Sequence, residues 1–278
     1  MDDEDIIVYD DEEMLEKIFN DMKEKTTIDN YKIGYKNESC DVFDSKIGGI
    51  PYWDTNKEYP KTKDGENLIL LAQINFDKEQ FDNERLPKKG ILQFFVKNNW
   101  LWKEDEEYKV IYHENINYDY KFEDIENLNI KTTKDDDIDI DVHGEYKMIF
   151  HQNSEAISID DFQFRDYAFD VCSKYYDIED EDFIEKYDEF FDEELRDKFD
   201  VGDGSKLLGY PGFCQYDPRE RIKNGKDLKL LLQLDSYQNI TPVIENIELK
   251  DGILNFFITD KDLENLNFDN VFMNGDFH

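Results

Sequence analysis

Ser45-Lys46-Ile47-Gly48-Gly49-Ile50-Pro51 returns 160 residues later as Ser205-Lys206-Leu207-Leu208-Gly209-Tyr210-Pro211. Leu70-Leu71-Ala72-Gln73-Ile74 returns at the same offset as Leu230-Leu231-Leu232-Gln233-Leu234. Gly90-Ile91-Leu92-Gln93-Phe94-Phe95-Val96 returns as Gly252-Ile253-Leu254-Asn255-Phe256-Phe257-Ile258, at an offset of 162. Three blocks in one order at near-constant spacing read as an internal repeat. Each block has a physical role. Gly-x-Pro marks a turn, Leu-Leu-x-Gln a short buried strand, and Gly-Ile-Leu a strand that leaves a turn.

The expected fold is therefore α+β and mainly β. Two duplicated β-rich units, at about 33–100 and 200–268, are related by a pseudo-twofold within a single domain, 1–278. An N-terminal helix and a helical insertion at about 160–199 complete it. Met14, Leu15, Ile18, Phe19 and Met22 fall on one face of the first helix. Phe169, Cys172 and Tyr176, then Phe183, Ile184, Tyr187, Phe190, Phe191 and Leu195, give the insertion an apolar stripe. Between the units, Lys109–Tyr112 and Tyr146–Phe150 read as strands. Ile138-Asp139-Ile140-Asp141-Val142 alternates, with its apolar members facing in.

Strict alternation along the repeated strand places Leu68, Leu70, Ala72, Ile74 and Phe76 on one face, against Ile69, Leu71, Gln73 and Asn75. In the second copy Leu228, Leu230, Leu232 and Leu234 oppose Leu231, Gln233 and Asp235. Buried amides need partners, so Gln73 and Gln233 either tie down a neighbouring loop or line a polar cleft between the units. The candidate lining of such a cleft is Trp53, Gln73, Gln93, Gln215, Gln233, Asp235 and Asn255.

Composition bounds the partners. The 278 residues carry 69 acids against 33 bases, a net charge of −36, yet 15% are aromatic. The aromatic load argues for a packed core rather than an acidic disordered tail. The charge disfavours nucleic acid and anionic membranes as partners and favours a basic protein, whose encounter such a field accelerates. Cys40, Cys172 and Cys214 form no CxxC pair, and the acidic start is unlike a signal peptide, so a cytoplasmic location is expected.

No chemistry stands out. Asp137-x-Asp139-x-Asp141 begins like an EF-hand, but Val142 and Met148 occupy the positions that need Gly and Glu. Histidine spacing suits no zinc site. Cys214 has no histidine nearby in sequence and no counterpart in the first copy, where Asp54 stands. Val201–Lys206 lacks phosphate-loop spacing. No catalytic residue, metal or cofactor is assigned.

The repeated blocks, together with Gln215-Tyr216-Asp217-Pro218-Arg219 and Leu231-Leu232-Gln233-Leu234-Asp235, resemble the YwqG-like family, a bacterial family of unknown function. The resemblance spans about 33–268. It implies a duplicated, mainly β fold in a cytoplasmic protein and carries over no catalytic residue. Relatives often place His where this chain has Ser205. Some stand near toxin systems, so an immunity-like role is an associational implication. The expected function is a non-enzymatic interaction module for a basic protein. The alternative is a small-ligand binder or enzyme using the cleft between the units.

Overall fold

The computed structural model describes residues 12–98, 107–175, 198–237 and 244–277. Among them, ten strands form one antiparallel sheet, accompanied by five α-helices. The strands are β1 (Ile28–Lys36), β2 (Lys46–Gly48), β3 (Ile69–Asn75), β4 (Ile91–Val96), β5 (Tyr108–His113), β6 (Glu145–Glu155), β7 (Lys206–Leu207), β8 (Leu228–Asp235), β9 (Gly252–Thr259) and β10 (Phe272–Phe277). Their spatial order is β10-β9-β8-β7-β1-β6-β2-β3-β4-β5. The mainly β expectation holds. So do the strands expected at Lys109–Tyr112 and Tyr146–Phe150.

The order reads the same from either end, with the long β1–β6 pair at the centre. On one side, Ser45 O accepts from Met148 N–H at 2.9 Å; on the other, Ser205 O accepts from Ile33 N–H at 2.8 Å. The turn after β2 has Gly49 at φ +75°, and that after β7 has Gly209 at φ +90°. Both φ values strain any L side chain, and a Cβ at either would also crowd a carboxylate oxygen, of Glu145 or Glu155 respectively, so glycine is required at both.

The sheet curls. Phe94 on β4 and Phe256 on β9 lie seven strand spacings apart, which is ~34 Å in a flat sheet. Their ring centroids are nonetheless 4.7 Å apart. The concave side is filled with Tyr31, Ile33, Tyr35, Ile47, Leu92, Leu254 and their neighbours. The Tyr108 hydroxyl bridges the two ends of the sheet. Tyr108 of β5 donates to Val271 O at 2.9 Å and accepts from Met273 N–H at 3.2 Å.

Strict alternation fails in β3 and β8, and it fails identically. The register slips between Leu70 and Ala72 against β4, and between Leu230 and Leu232 against β9. The extra residue of a β-bulge reverses which side chains face in. Ile69, Leu71, Ala72 and Ile74 therefore all join the concave core, whereas Leu68 and Leu70 pack outside with Trp53. Likewise Leu231, Leu232 and Leu234 point in while Leu228 and Leu230 lie outside. The alternation reading is corrected accordingly.

The same reversal puts the amides on the convex side, under a loop. Gln73 Nε2 donates to Val42 O and Asp44 O, both at 2.9 Å, while its Oε1 accepts from Tyr52 N–H. Gln233 Nε2 donates to Gly202 O and Gly204 O at 2.7 and 2.8 Å, while its Oε1 accepts from Gly212 N–H.

α1 (Glu12–Thr26) buries Ile18, Phe19 and Met22, as its spacing predicts, against Ala168, Val171 and Cys172 of a second helix at Phe164–Cys172. The stripe from Phe183 to Leu195 lies outside the described residues, as does Tyr176. Ile138, Ile140 and Val142 are buried as expected. The segment is not a strand, however: only Val142 forms an isolated bridge, to Ile247. No helix among the described residues is long and apolar enough to cross a membrane.

Two outcomes follow from these contacts. Tyr108→Phe removes the hydroxyl that joins the sheet edges and is expected to cost about 1–2 kcal/mol in denaturant unfolding. Gln73→Leu and Gln233→Leu each orphan buried carbonyls, at about 1–3 kcal/mol per group. An unchanged unfolding midpoint in either glutamine variant contradicts the loop-tying role.

Candidate functional site

A cavity of about 940 Å³ opens on the convex face beside β8 and β9. One wall is the segment from Ile159 to Arg165, and the opposite wall is the loop from Phe213 to Glu220. A buried arginine holds the two together. Arg219 Nη2 donates to Asp161 Oδ2 at 2.7 Å and to Asp217 Oδ2 at 2.6 Å, and Nε donates to Asp217 Oδ1 at 3.0 Å. Its guanidinium also lies 5.1 Å from the Phe162 ring and 5.0 Å from Phe257. Asp217 forms this fork because it caps the 3-10 turn Pro218–Arg221, accepting from Arg219 N–H at 3.0 Å. The planar, bidentate geometry is what arginine supplies and lysine does not.

The loop is fixed from below by β10. Asp276 Oδ2 accepts from Cys214 N–H at 2.6 Å and Gln215 N–H at 2.8 Å. Gln215 Nε2 donates to Phe277 O at 2.7 Å. Asp235, 2% exposed, reaches the floor from β8. It accepts from Gly204 N–H at 2.6 Å and Tyr237 N–H at 2.8 Å. Burial is the largest influence on its carboxyl and pushes it up to about 6, against those two hydrogen bonds. Burial also raises Asp203.

The lining is acidic and aromatic together. Seven carboxylates, of Asp160, Asp161, Asp203, Asp217, Glu220, Asp235 and Asp251, stand against one guanidinium, of Arg165. Phe162, Phe164, Phe213, Tyr216 and Tyr237 supply rings. Tyr216 and Tyr237 are 50% and 61% exposed, and both sit at this cleft. Cys214 lines it too, but burial and the Asp276 and Asp235 carboxylates push its thiol up to about 11. It is therefore a thiol at neutral pH and a poor nucleophile.

Of the seven residues singled out in sequence, Gln215 and Asp235 line this cleft. Gln233 and Asn255 lie beneath it: Asn255 Nδ2 donates to Gly212 O at 3.0 Å, and its Oδ1 has no partner. Trp53, Gln73 and Gln93 sit at the other end of the sheet, buried under a different loop. There Gln93 Nε2 donates to Tyr52 O and to Gln73 Oε1, both at 2.7 Å, and Gln93 Oε1 meets His113 Nε2 at 2.9 Å. Burial lowers His113 to about 4, so the imidazole is neutral. Between the two groups the concave side is packed with side chains, Phe94 and Phe256 among them. The seven thus form two clusters rather than one lining.

Sequence reasoning missed the Asp160–Arg165 wall and the exposed tyrosines. The signal available was Asp217-Pro218-Arg219, a capping Asp before Pro that starts a tight turn. Among the described residues, no group of three or more His, Cys, Asp or Glu side chains could hold a metal ion. Asp137, in the acidic run that begins like an EF-hand, is instead paired with Lys131.

No curated protein matches this chain. Residues 45–276, most of the chain and both sets of repeated blocks, match the DUF1963 domain of unknown function, and the chain belongs to that family.

Proposed function

We propose that this chain is a non-enzymatic interaction protein that takes a lysine- or arginine-rich segment of a basic partner into the acidic, aromatic cleft. The observation that carries this is the lining itself: beyond Asp161 and Asp217, which Arg219 holds, it has five carboxylates against a single guanidinium, with two exposed tyrosines. Carboxylates pair with ammonium and guanidinium groups, and aromatic faces attract the same cations. Arg221 already illustrates the contact, with its guanidinium 4.3 Å from the Tyr216 ring. In this reading Gln215 and Asp235 touch the ligand, while Trp53, Gln73, Gln93, Gln233 and Asn255 hold the loops. An immunity-like role toward a basic partner and a cytoplasmic location agree with it, as does the YwqG-like resemblance.

Descent from a duplicated unit belongs to the same reading. Its support is the palindromic strand order, the paired bulges and the paired glutamine anchors. The copies then diverged at one equivalent position. His113 pairs with Ile91 on β4, and Asp276 pairs with Ile253 on β9. The first copy closes its loop over His113 with Tyr52 and Trp53, their rings 5.2 Å away. The second puts a carboxylate there and stays open.

The cleft's volume also falls in the range for small-molecule sites, ~300–1,000 Å³, so a small polyamine is the second reading. Fluorescence titration with a labelled hexa-arginine peptide tests both. Binding is expected to be saturable and to weaken with salt. Asp251→Asn with Glu220→Gln is expected to reduce affinity about tenfold, two exposed ion pairs each being worth about 0.2–1 kcal/mol. The same charge change at Glu58 and Glu123 is expected to leave it intact. Equal losses in the two pairs assign binding to the general field and remove the cleft from the proposal. Displacement by spermidine at concentrations like those of the peptide shifts the reading to the small ligand.

Asp235 gives a pH signature. Its folded-state carboxyl is raised, so its contribution to stability is full below the unfolded value of about 3.9 and is lost as pH rises through about 6. Below that pH the floor of the cleft is neutral. Peptide affinity is therefore expected to fall between pH 7 and pH 5, and the Asp235 side-chain carbon resonance to titrate near 6. A midpoint near 4 contradicts the assignment.

A further inference from the structure

A second cavity, of about 570 Å³, lies against the convex face of the central β1–β6 pair, between the last turn of α1 and residues 198–201. Its walls run against the character of the chain, because Lys23, Lys32 and Lys198 all line it. Two carboxylates line it as well, Glu155 and Asp200. Glu155 is committed elsewhere. Both its oxygens accept from Lys206 Nζ at 3.1 Å, and Oε1 accepts from Tyr210 N–H at 2.7 Å. Lys198 is paired with Glu16, and Lys23 also complements the dipole at the end of α1. Neither fact accounts for Lys32.

Strand register adds an independent observation. Lys32 on β1 stands directly opposite Lys206 on β7 and opposite His151 on β6. Neighbouring strands are ~4.8 Å apart, and like charges placed directly opposite one another destabilise a sheet. An anion in the cavity would give Lys32 the counter-charge that Glu155 gives Lys206.

We propose that this cavity binds a phosphate-bearing small molecule. The volume suits a small ligand, and lysine ammonium groups bind phosphate as compact point charges. Screening over about 8 Å at physiological salt leaves local groups, rather than the net charge of −36, to set the potential inside. An extended anionic membrane, by contrast, meets the whole acidic surface, so a free phosphate compound is the favoured ligand.

Calorimetric titration of the full chain with inorganic pyrophosphate, at constant ionic strength in chloride, tests the site. One saturable event is expected. Lys32→Met is expected to weaken it about tenfold or more, while the variant's thermal midpoint in pyrophosphate-free buffer holds or rises because the opposition to Lys206 is gone. Lys147→Met, opposite Lys46 on the other side of the central pair, is expected to bind as the native chain does. Absence of a saturable event in the native chain overturns the proposal. So does native-like binding by Lys32→Met, or an equal loss in Lys147→Met.

Discussion

One extra residue in each of two strands governs the molecule. The bulges at Leu71 and Leu231 let β3 and β8 send apolar side chains inward on both sides of the irregularity. They also turn Gln73 and Gln233 outward, where each amide organises a loop. Without the bulge, alternation would place those amides in the concave core. A buried amide there would face Phe94 and Phe256 rather than carbonyls, at about 1–3 kcal/mol for each unsatisfied group. The bulge also bends its strand and increases local twist, which is the direction the sheet must take to bring its outer strands together at Tyr108. Core, loops and curvature therefore depend on the same local feature.

Much of this was legible in the sequence because it is local. Gly49 and Gly209 mark turns that only glycine fits, and the Leu-rich and Phe-rich runs mark strands. The matched blocks announce that the two ends of the sheet are built alike. The bulge was not legible, because a run such as Leu-Leu-Ala-Gln or Leu-Leu-Leu-Gln is apolar in either phase. Inserting one residue leaves its composition unchanged. Ile138 to Val142 misled in the opposite way. Its alternation is that of a strand, but burial of Ile138, Ile140 and Val142 is achieved in an irregular segment whose only ladder contact is Val142 with Ile247. The acidic cleft was illegible for a third reason. Its walls come from residues about 55 positions apart, joined by Arg219, and no spacing rule links Asp161 to Asp217.

The buried charges show how an acidic chain uses its few bases. Arg219 and Lys206 are each 2% exposed in the side chain, and each is met by carboxylates. Such pairs add little net stability, because desolvation offsets the attraction, but removing one partner is costly. Their value lies in fixing geometry. Arg219 sets the distance between the cleft walls, and Lys206 with Glu155 closes the turn at Gly209. Lys46, at the equivalent place in the other half, donates to Asp41 O at 2.9 Å, and burial lowers its amine to about 8. The same backbone position thus tolerates both an ion pair and a single hydrogen bond to a carbonyl, so the turn itself does not require the ion pair.

The two cavities share one wall. Val201 lines both, with Asp203 on the acidic side and Lys198 on the basic side. The segment is held by the outer half of the same scaffold, since Gln233 grips Gly202 O and Gly204 O and Asp235 grips Gly204 N–H. A potential of opposite sign on the two sides of one backbone segment is mutually stabilising, because each set of charges lowers the energy of the other across a short, poorly screened distance. Asp203 is turned to the acidic side, into the cleft, by backbone that Gln233 and Asp235 of β8 hold in place.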